Sequence, residues 1–231
     1  MKGRKKWLFS LLTVMVLAFW MGTGVQAAAQ NPFKPSDKYG GNLPQNQSQI
    51  ITSLWPKWPD FMTPRYDKNF TMKATSSNKK VAAVKVSTRI TNGKYQKALQ
   101  VIGRSAGTAN IKVTVKVNQK TYHKTFKYKF YDYENPFSSF KINGKNYTSK
   151  FKSLKKGSKV ATGNYIKVIK WTPPSGKLTY KLNKNYKILN MYSADTYDDI
   201  KNNGEIPEGC TGLWIYYQNK KTKAVGELYV H

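Results

Sequence analysis

Short runs in which hydrophobic and polar residues alternate occupy much of the chain after residue 69. The clearest run is 109–117, where every second residue is hydrophobic over nine residues, and 121–131 repeats the pattern. A period of two places successive side chains on opposite faces of a β-strand. Residues 118–120 separate the two runs, so the pattern predicts two antiparallel strands joined by a turn.

Turn signals divide the rest of the chain into similar pieces. Asn92-Gly93 and Asn143-Gly144 are dipeptides typical of two-residue β-hairpin turns. Further short strands are predicted at residues 70–74, 81–86, 99–103, 140–142, 165–171, 178–182, 186–189, 213–217 and 224–230. Beyond the N-terminal segment no stretch longer than about ten residues has a helical apolar stripe. The chain is therefore predicted to be all-β, as an antiparallel sandwich or barrel.

The N-terminus has the layout of a secretory signal peptide. Residues 2–6 are mostly basic, 7–21 are apolar, and 27–29 are alanines. The apolar run is shorter than the ~20 residues that a membrane-spanning helix needs. We predict a cleavable signal peptide at residues 1–29; a retained membrane anchor is the alternative. Residues 30–48 are rich in Pro, Gly, Asn and Gln, which predicts a flexible linker.

The mature chain is predicted to contain two domains, at residues 49–133 and 134–231, because Glu134-Asn135-Pro136-Phe137 interrupts the alternation. The first begins with an aromatic, proline-containing segment. Prolines exclude a long helix and a central strand there. Its aromatic residues are predicted to contact another protein or to pack onto the first domain as a lid or edge strand. They are Trp55, Trp58 and Phe61.

Composition narrows the chemistry. The 231 residues include 2 His and 1 Cys, so an intrachain disulfide and Cys₄ or Cys₂His₂ zinc sites are excluded. No Gly-x-Ser-x-Gly motif occurs. An acidic segment with Asp195, Asp198 and Asp199 is interpreted as a solvated loop, with a calcium site or a metal-dependent hydrolase as the alternative. We therefore predict no enzyme activity, no catalytic residue, no metal and no cofactor.

Net charge is the strongest functional signal, since 40 Lys and Arg against 11 Asp and Glu give +29. On the alternating strands, lysine occupies the polar positions that face water. A strongly basic surface attracts polyanions by counterion release and steering. The candidate polyanion-binding residues are Lys112, Lys116, Lys124, Lys127, Lys129, Tyr122 and Tyr128. The alternative is diffuse charge that only keeps the protein soluble and wall-associated.

Two short motifs resemble a known family. Residues 76–84 read Ser-Ser-Asn-Lys-Lys-Val-Ala-Ala-Val, and 107–115 read Gly-Thr-Ala-Asn-Ile-Lys-Val-Thr-Val. Both are similar to the signatures of group 2 bacterial Ig-like domains, with a longer central hairpin between them. The resemblance covers residues 70–117 and implies an Ig-like β-sandwich domain there, in a secreted surface protein of a Gram-positive bacterium. Together with the strand pattern after residue 134, it gives a predicted fold of two tandem Ig-like β-sandwich domains. It implies an extracellular spacer or adhesion module without catalysis.

These observations predict a secreted, wall-associated, non-enzymatic protein that binds anionic polymers of the cell envelope or extracellular matrix. No specific nucleic-acid sequence and no membrane span after signal cleavage are expected among its partners. The alternative is a structural spacer or protein-interaction module without specificity for polyanions, which binds another surface protein.

Overall fold

The computed structural model of the chain describes residues 31–33, 47–51, 60–67, 69–159 and 165–231. These residues contain sixteen β-strands and a single-turn 3-10 helix, Thr148–Phe151. The predicted all-β fold is confirmed. The predicted signal peptide and the segment with Trp55 and Trp58 lie outside the described residues. No helix in the part of the chain just defined is long and apolar enough to cross a membrane.

Seven strands belong to the N-terminal half. They are β1 (Gln47–Ile50), β2 (Phe61–Met62), β3 (Thr71–Ser76), β4 (Ala82–Thr91), β5 (Lys94–Gly103), β6 (Gly107–Val117) and β7 (Lys120–Tyr131). One sheet has the order β2–β5–β4, and β3–β6–β7 form the other wall. Leu99, Ile111 and Phe126 belong to the hydrophobic cluster between them. The alternation seen in the sequence buries one side of each strand in this N-terminal core.

The hairpin turns follow from their residue types. Asn92 and Gly93 have φ of 50° and 69°, and Asn143 and Gly144 have φ of 50° and 76°. Two consecutive residues with positive φ define the type I′ turn, which matches the twist of the strands it joins. Asparagine and glycine adopt this conformation at low cost. Both predicted hairpin turns are confirmed.

Nine strands form the C-terminal half. They are β8 (Phe137–Ile142), β9 (Lys145–Asn146), β10 (Lys155–Lys159), β11 (Tyr165–Ile169), β12 (Gly176–Leu182), β13 (Tyr186–Ser193), β14 (Glu205–Ile206), β15 (Leu213–Asn219) and β16 (Val225–Val230). The order β14–β12–β8–β9 makes one wall, and β13, β15 and β16 face it. Phe140, Leu178 and Leu228 are fully buried in the cluster between these walls.

Strand β1 joins the two halves. It pairs in parallel with β7 over four residues, from Gln47 to Ile50, and Gln49 also pairs with Val225 of β16. A nine-stranded sheet therefore runs through both halves of the protein. Ile50 belongs to the C-terminal core and Ile51 to the N-terminal core, and each is only 6% exposed. Ile51 directly follows β1, and its backbone N–H donates to the carbonyl of Tyr131. Consecutive side chains of an extended chain point to opposite sides, so β1 and the residue after it contribute to both cores.

The described ends of the predicted flexible linker are ordered. Residues 47 and 48 belong to β1, and Phe33 is buried with its ring stacked on Phe61 at 5.3 Å between centroids. Phe61 itself lies in β2 and is 1% exposed. The prediction of Phe61 as a protein-contact residue is therefore wrong, and the alternative of an edge strand packed onto the first domain is confirmed for this residue. Hydrophobic burial takes its ring into the N-terminal core, and β2 pairs with β5 at the edge of its sheet. Trp55 and Trp58 remain untested.

Candidate functional site

Five lysines share the solvent side of the β3–β6–β7 wall. They are Lys73 on β3, Lys112 and Lys116 on β6, and Lys127 and Lys129 on β7, and all are exposed. The opposite side of the same strands carries buried residues such as Val113 and Phe130. Because the pleat alternates, burial of that side fixes these lysines toward water. We call these five residues the lysine face.

The strand registers stagger the lysines. Lys116 lies between Thr71 and Thr121, and Lys112 lies between Thr75 and Thr125. The remaining three follow the same rule: Lys73 is opposite Thr114, Lys127 opposite Asn110, and Lys129 opposite Thr108. No two lysines of the face are directly cross-strand, which avoids the like-charge pairing that destabilises a sheet.

The spacing of the lysine face follows from strand geometry. Lys116 and Lys129 occupy its two ends, four rows of cross-strand partners apart. Each row adds two residues of strand, so the face is roughly 27 Å long, with one ammonium group every ~7 Å. Hydroxyl and amide groups separate the charges. The result is a regular cationic strip that donates hydrogen bonds along its whole length.

Three predicted polyanion-binding residues do not belong to this strip. Lys124 is opposite Val113 and Tyr122 is opposite Val115, so both point to the core side of the sheet, although Lys124 is exposed there. Tyr128 is 0% exposed. Burial raises the pKa of its hydroxyl well above the ordinary value. The prediction of Tyr128 as a ligand-binding residue is wrong, because the period of two that exposes Lys127 and Lys129 buries the residue between them.

Lys73 was missed by the sequence argument, although a signal for it exists. No Asp or Glu occurs between Asp67 and Asp132, a stretch that contains β3 to β7. Lys73 lies within this acid-free stretch and alternates with threonines on its own strand. Its place beside β6 depends on the pairing of Lys73 with Thr114, which the order of the strands in the chain does not reveal.

A histidine completes the middle of the lysine face. His123 is exposed on β7, and its Nδ1 lies 3.0 Å from Oγ1 of Thr114, in the row that also contains Lys73. The predicted solvent-facing position of His123 is confirmed. Asp198 and Asp199 lie in the loop between β13 and β14 of the C-terminal half, whereas His123 lies on β7 of the N-terminal half. The acidic segment and the histidine therefore belong to different halves of the protein.

The acidic segment between β13 and β14 is organised by hydrogen bonds. The backbone N–H and the hydroxyl of Thr211 each donate to the carboxylate of Asp195 at 2.6 Å. These bonds lower the pKa of Asp195, the hydroxyl contributing most. Across the described ranges no group of three or more His, Cys, Asp or Glu residues is placed to hold a metal ion.

Comparisons with known proteins leave the family open. No protein-family model matches the chain, and no curated protein matches it. Solved structures with partial similarity include a chimeric titin Z1Z2 carrying an exogenous decorin peptide, at 9% identity, covering 81% of this chain and 93% of that one, with a TM-score of 0.27. Domains 5–6 of the S-layer protein SbsC have 13% identity, coverages of 71% and 81%, and a TM-score of 0.23.

A third similar structure contains cadherin-like domains 1 to 4 of zebrafish RET. It has 10% identity, covers 81% of this chain and 51% of that chain, and has a TM-score of 0.25. The group 2 bacterial Ig-like resemblance stays a prediction.

Proposed function

We propose that this chain is a secreted, non-enzymatic Ig-like binding module that holds anionic polymers of the cell envelope or extracellular matrix on its lysine face. The observation that carries the proposal is the strip of staggered lysines, with one per row and hydroxyl groups between them. A linear polyanion that lies along such a strip releases its counterions as each lysine replaces them. Catalysis plays no part in this function.

Charge segregation supports the assignment. The acid-free stretch contains both sheets of the N-terminal half, apart from β1 and β2, and Asp67 at its border forms an ion pair with Lys94 at 3.3 Å. Eight of the 11 acidic residues lie at or after residue 132, which reduces repulsion between an anionic ligand and this half of the protein. A surface of one sign steers a charged partner and raises its association rate.

The test is the salt dependence of binding to a single-stranded oligothymidylate, used as a flexible polyanion of known charge. Each lysine engaged contributes about −0.7 to the slope of log K against log salt, so five give about −3.5. The double variant Lys112→Gln and Lys116→Gln is expected to reduce the slope by about 1.4. Fluorescence anisotropy across a salt series measures both quantities.

The matched control removes the same charge elsewhere. Lys141 on β8 and Lys181 on β12 are exposed lysines of the C-terminal half. Lys141→Gln with Lys181→Gln is expected to leave the slope within error of wild type. Equal losses in the two double variants mean that the charge acts diffusely, and the lysine face is then not a site. A flat salt response contradicts the proposal altogether.

Export is the second part of the proposal, supported by the basic and apolar order of residues 2–21. We expect the processed protein in the medium and wall fraction of expressing cells, released from walls by high salt. Retention in the cytoplasm contradicts this part and leaves the polyanion test unaffected.

A spacer function is the second candidate, and the shared strand β1 favours it. Because β1 pairs with β7 and contacts β16, the two halves are held together by main-chain pairing rather than by a linker alone. A spacer requires such a connection but no ligand. Substitution of the lysines of the lysine face without loss of retention on cell walls would support the spacer function over polyanion binding.

A further inference from the structure

The outer side of β13, β15 and β16 differs in chemistry from the lysine face. Two rows of cross-strand partners lie there: Tyr192–Trp214–Tyr229 and Asn190–Tyr216–Glu227. The aromatic members are all partly exposed, and neither row contains a lysine. Tyr197 and His231 lie beside the rows and are exposed, Tyr197 by 72%. We call the six rings the aromatic face: Tyr192, Tyr197, Trp214, Tyr216, Tyr229 and His231.

The rings are arranged in two stacks. Trp214 and Tyr229 are stacked at 4.4 Å between centroids, and His231 continues that stack beside Tyr229 at 5.7 Å. Strands are 4.7–4.9 Å apart, so two cross-strand rings that stack face to face stand upright on the sheet. The second stack joins Tyr192 with Tyr216 at 5.9 Å and with Tyr197 at 5.7 Å. Each stack ends in an exposed ring, Tyr197 or His231.

Polar groups surround both stacks. The hydroxyl of Tyr192 donates to that of Tyr216 at 3.4 Å, which donates to Oε1 of Glu227 at 3.1 Å. At the other stack, Nδ1 of His231 lies 3.2 Å from the carbonyl oxygen of Thr211, the residue that holds the Asp195 carboxylate. The rings are thus fixed before any ligand arrives, which lowers the entropic cost of binding.

The chemistry of the face selects its ligand. Aromatic rings offer apolar surfaces, while Asp195 and Asn190, both exposed, offer hydrogen-bond acceptors within the same area. The carboxylate of Asp195 repels anionic polymers, which sets this face apart from the lysine face. A neutral sugar chain has both complementary features, since its C–H faces pack on rings and its hydroxyls donate to carboxylates.

We infer that the aromatic face of β13–β15–β16 binds a neutral polysaccharide, independently of the lysine face. The proposal requires a ligand with alternating apolar and hydroxyl-bearing surfaces, and no net charge. The ligand contacts the face through packing on the rings and through hydrogen bonds donated by its uncharged hydroxyls. Binding is therefore expected to be insensitive to salt. That property separates it from binding to the lysine face.

The experiment is native affinity electrophoresis in gels that contain mixed-linkage β-glucan, galactomannan or arabinoxylan. Retardation by at least one of the three is expected, unchanged between low and high salt. Trp214→Ala and Tyr197→Ala are each expected to weaken the apparent affinity roughly fivefold or more, as for an aromatic residue that contacts the ligand directly. Tyr197 is highly exposed, so its variant is expected to keep the thermal midpoint of wild type.

The matched control is Trp171→Ala, because Trp171 is also partly buried and stacks on a tyrosine, Tyr147, at 4.6 Å between centroids. The affinity of Trp171→Ala for the polysaccharide is expected to equal that of wild type. Absence of retardation in all three gels overturns the proposal. Retardation that is unchanged in both Trp214→Ala and Tyr197→Ala also overturns it. Self-association abolished by Trp214→Ala, measured by sedimentation without polysaccharide, would assign the face to a second copy of the chain and also overturn it.

Discussion

The pKa of Asp60 shows how burial changes the acidity of a single side chain. Asp60 directly precedes β2, and Oδ1 accepts a hydrogen bond from the backbone N–H of Val101 at 2.9 Å. Burial raises the pKa of Asp60 from 3.8 to about 6, although the bond from Val101 opposes the rise. The folded protein therefore holds this proton more tightly than the unfolded chain does.

The sign of the pH effect follows from that difference. A folded-state pKa above the unfolded value stabilises the fold fully below pH 3.8, and this contribution is lost as the pH rises through about 6. Two pKa units correspond to about 3 kcal/mol. We expect Asp60→Asn to raise the free energy of unfolding above pH 6 by up to this amount, and to change it little below pH 4. Urea unfolding above pH 6 and below pH 4 measures the change in the free energy of unfolding.

Asp67→Asn is the control for Asp60→Asn. Its carboxylate is 83% exposed and pairs with Lys94 on the surface, so its removal is expected to cost about 0–1 kcal/mol. If Asp60→Asn and Asp67→Asn have the same pH profile, or if Asp60→Asn destabilises the protein above pH 6, burial is not the cause of the Asp60 shift.

Which residues of a strand face water was predictable only in part. Alternation correctly placed Lys112, Lys116, Lys127 and Lys129 outside. The same alternation requires the side chain of Tyr128 to be buried. Its prediction as a ligand-binding residue followed its residue type instead of its position on the strand. Phe33 was missed because its neighbours are polar or proline, so no local period indicates that a distant ring, Phe61, covers it.

At the level of elements, local pattern and turn chemistry predicted the long strands. Strands β4 to β7 and β15 to β16 all correspond to predicted runs, and the longer central hairpin expected between residues 87 and 100 is present as β4 and β5, with ten residues each. Strands β1, β2 and β14 are two to four residues long. Such strands exist because of partners far away in the chain, and no sequence period is long enough to reveal them.

The end of β1 leads to a further prediction, because Ile50 and the residue after the strand, Ile51, belong to different cores. Ile50→Ala is expected to destabilise the C-terminal half and Ile51→Ala the N-terminal half, each by ~2–5 kcal/mol, since a buried aliphatic side chain is lost. Hydrogen exchange of backbone amides, followed separately in β5–β6 and β15–β16, distinguishes the two losses.

Ser48→Ala is the control on the same strand, because Ser48 pairs with Lys129 on the solvent side. It is expected to leave the exchange rates of both halves near wild type. If Ile50→Ala and Ile51→Ala weaken the same half, the two side chains do not divide between separate cores.

At the scale of the whole molecule, β1 also reverses the shared sheet. Gln49 lies on the side of Phe130, which is buried in the N-terminal core, and on the side of Val225, which shares the outer surface of β16 with Tyr229. The core side of the first half therefore continues as the aromatic face of the second. The lysine face and the aromatic face are on opposite sides of one sheet, so the two proposed ligands would bind without competing.

The connection through β1 is open to a direct test. Gln49→Pro removes a main-chain donor and restricts φ in a strand that has neighbours on both edges. We expect a larger radius of gyration by small-angle X-ray scattering, with the circular dichroism of a folded β-protein retained. Gln49→Ala keeps the backbone donor and is expected to match wild type. An unchanged radius in Gln49→Pro means that other contacts hold the halves together.

The parallel pairing of β1 with β7 has a mechanical consequence. Tension applied to the chain pulls β1 at its start, Gln47, and β7 at its end, Tyr131. Two parallel strands pulled at opposite ends slide past one another, so the hydrogen bonds between them bear the load together instead of opening in turn. A protein stretched between two surfaces would resist extension at this short ladder first.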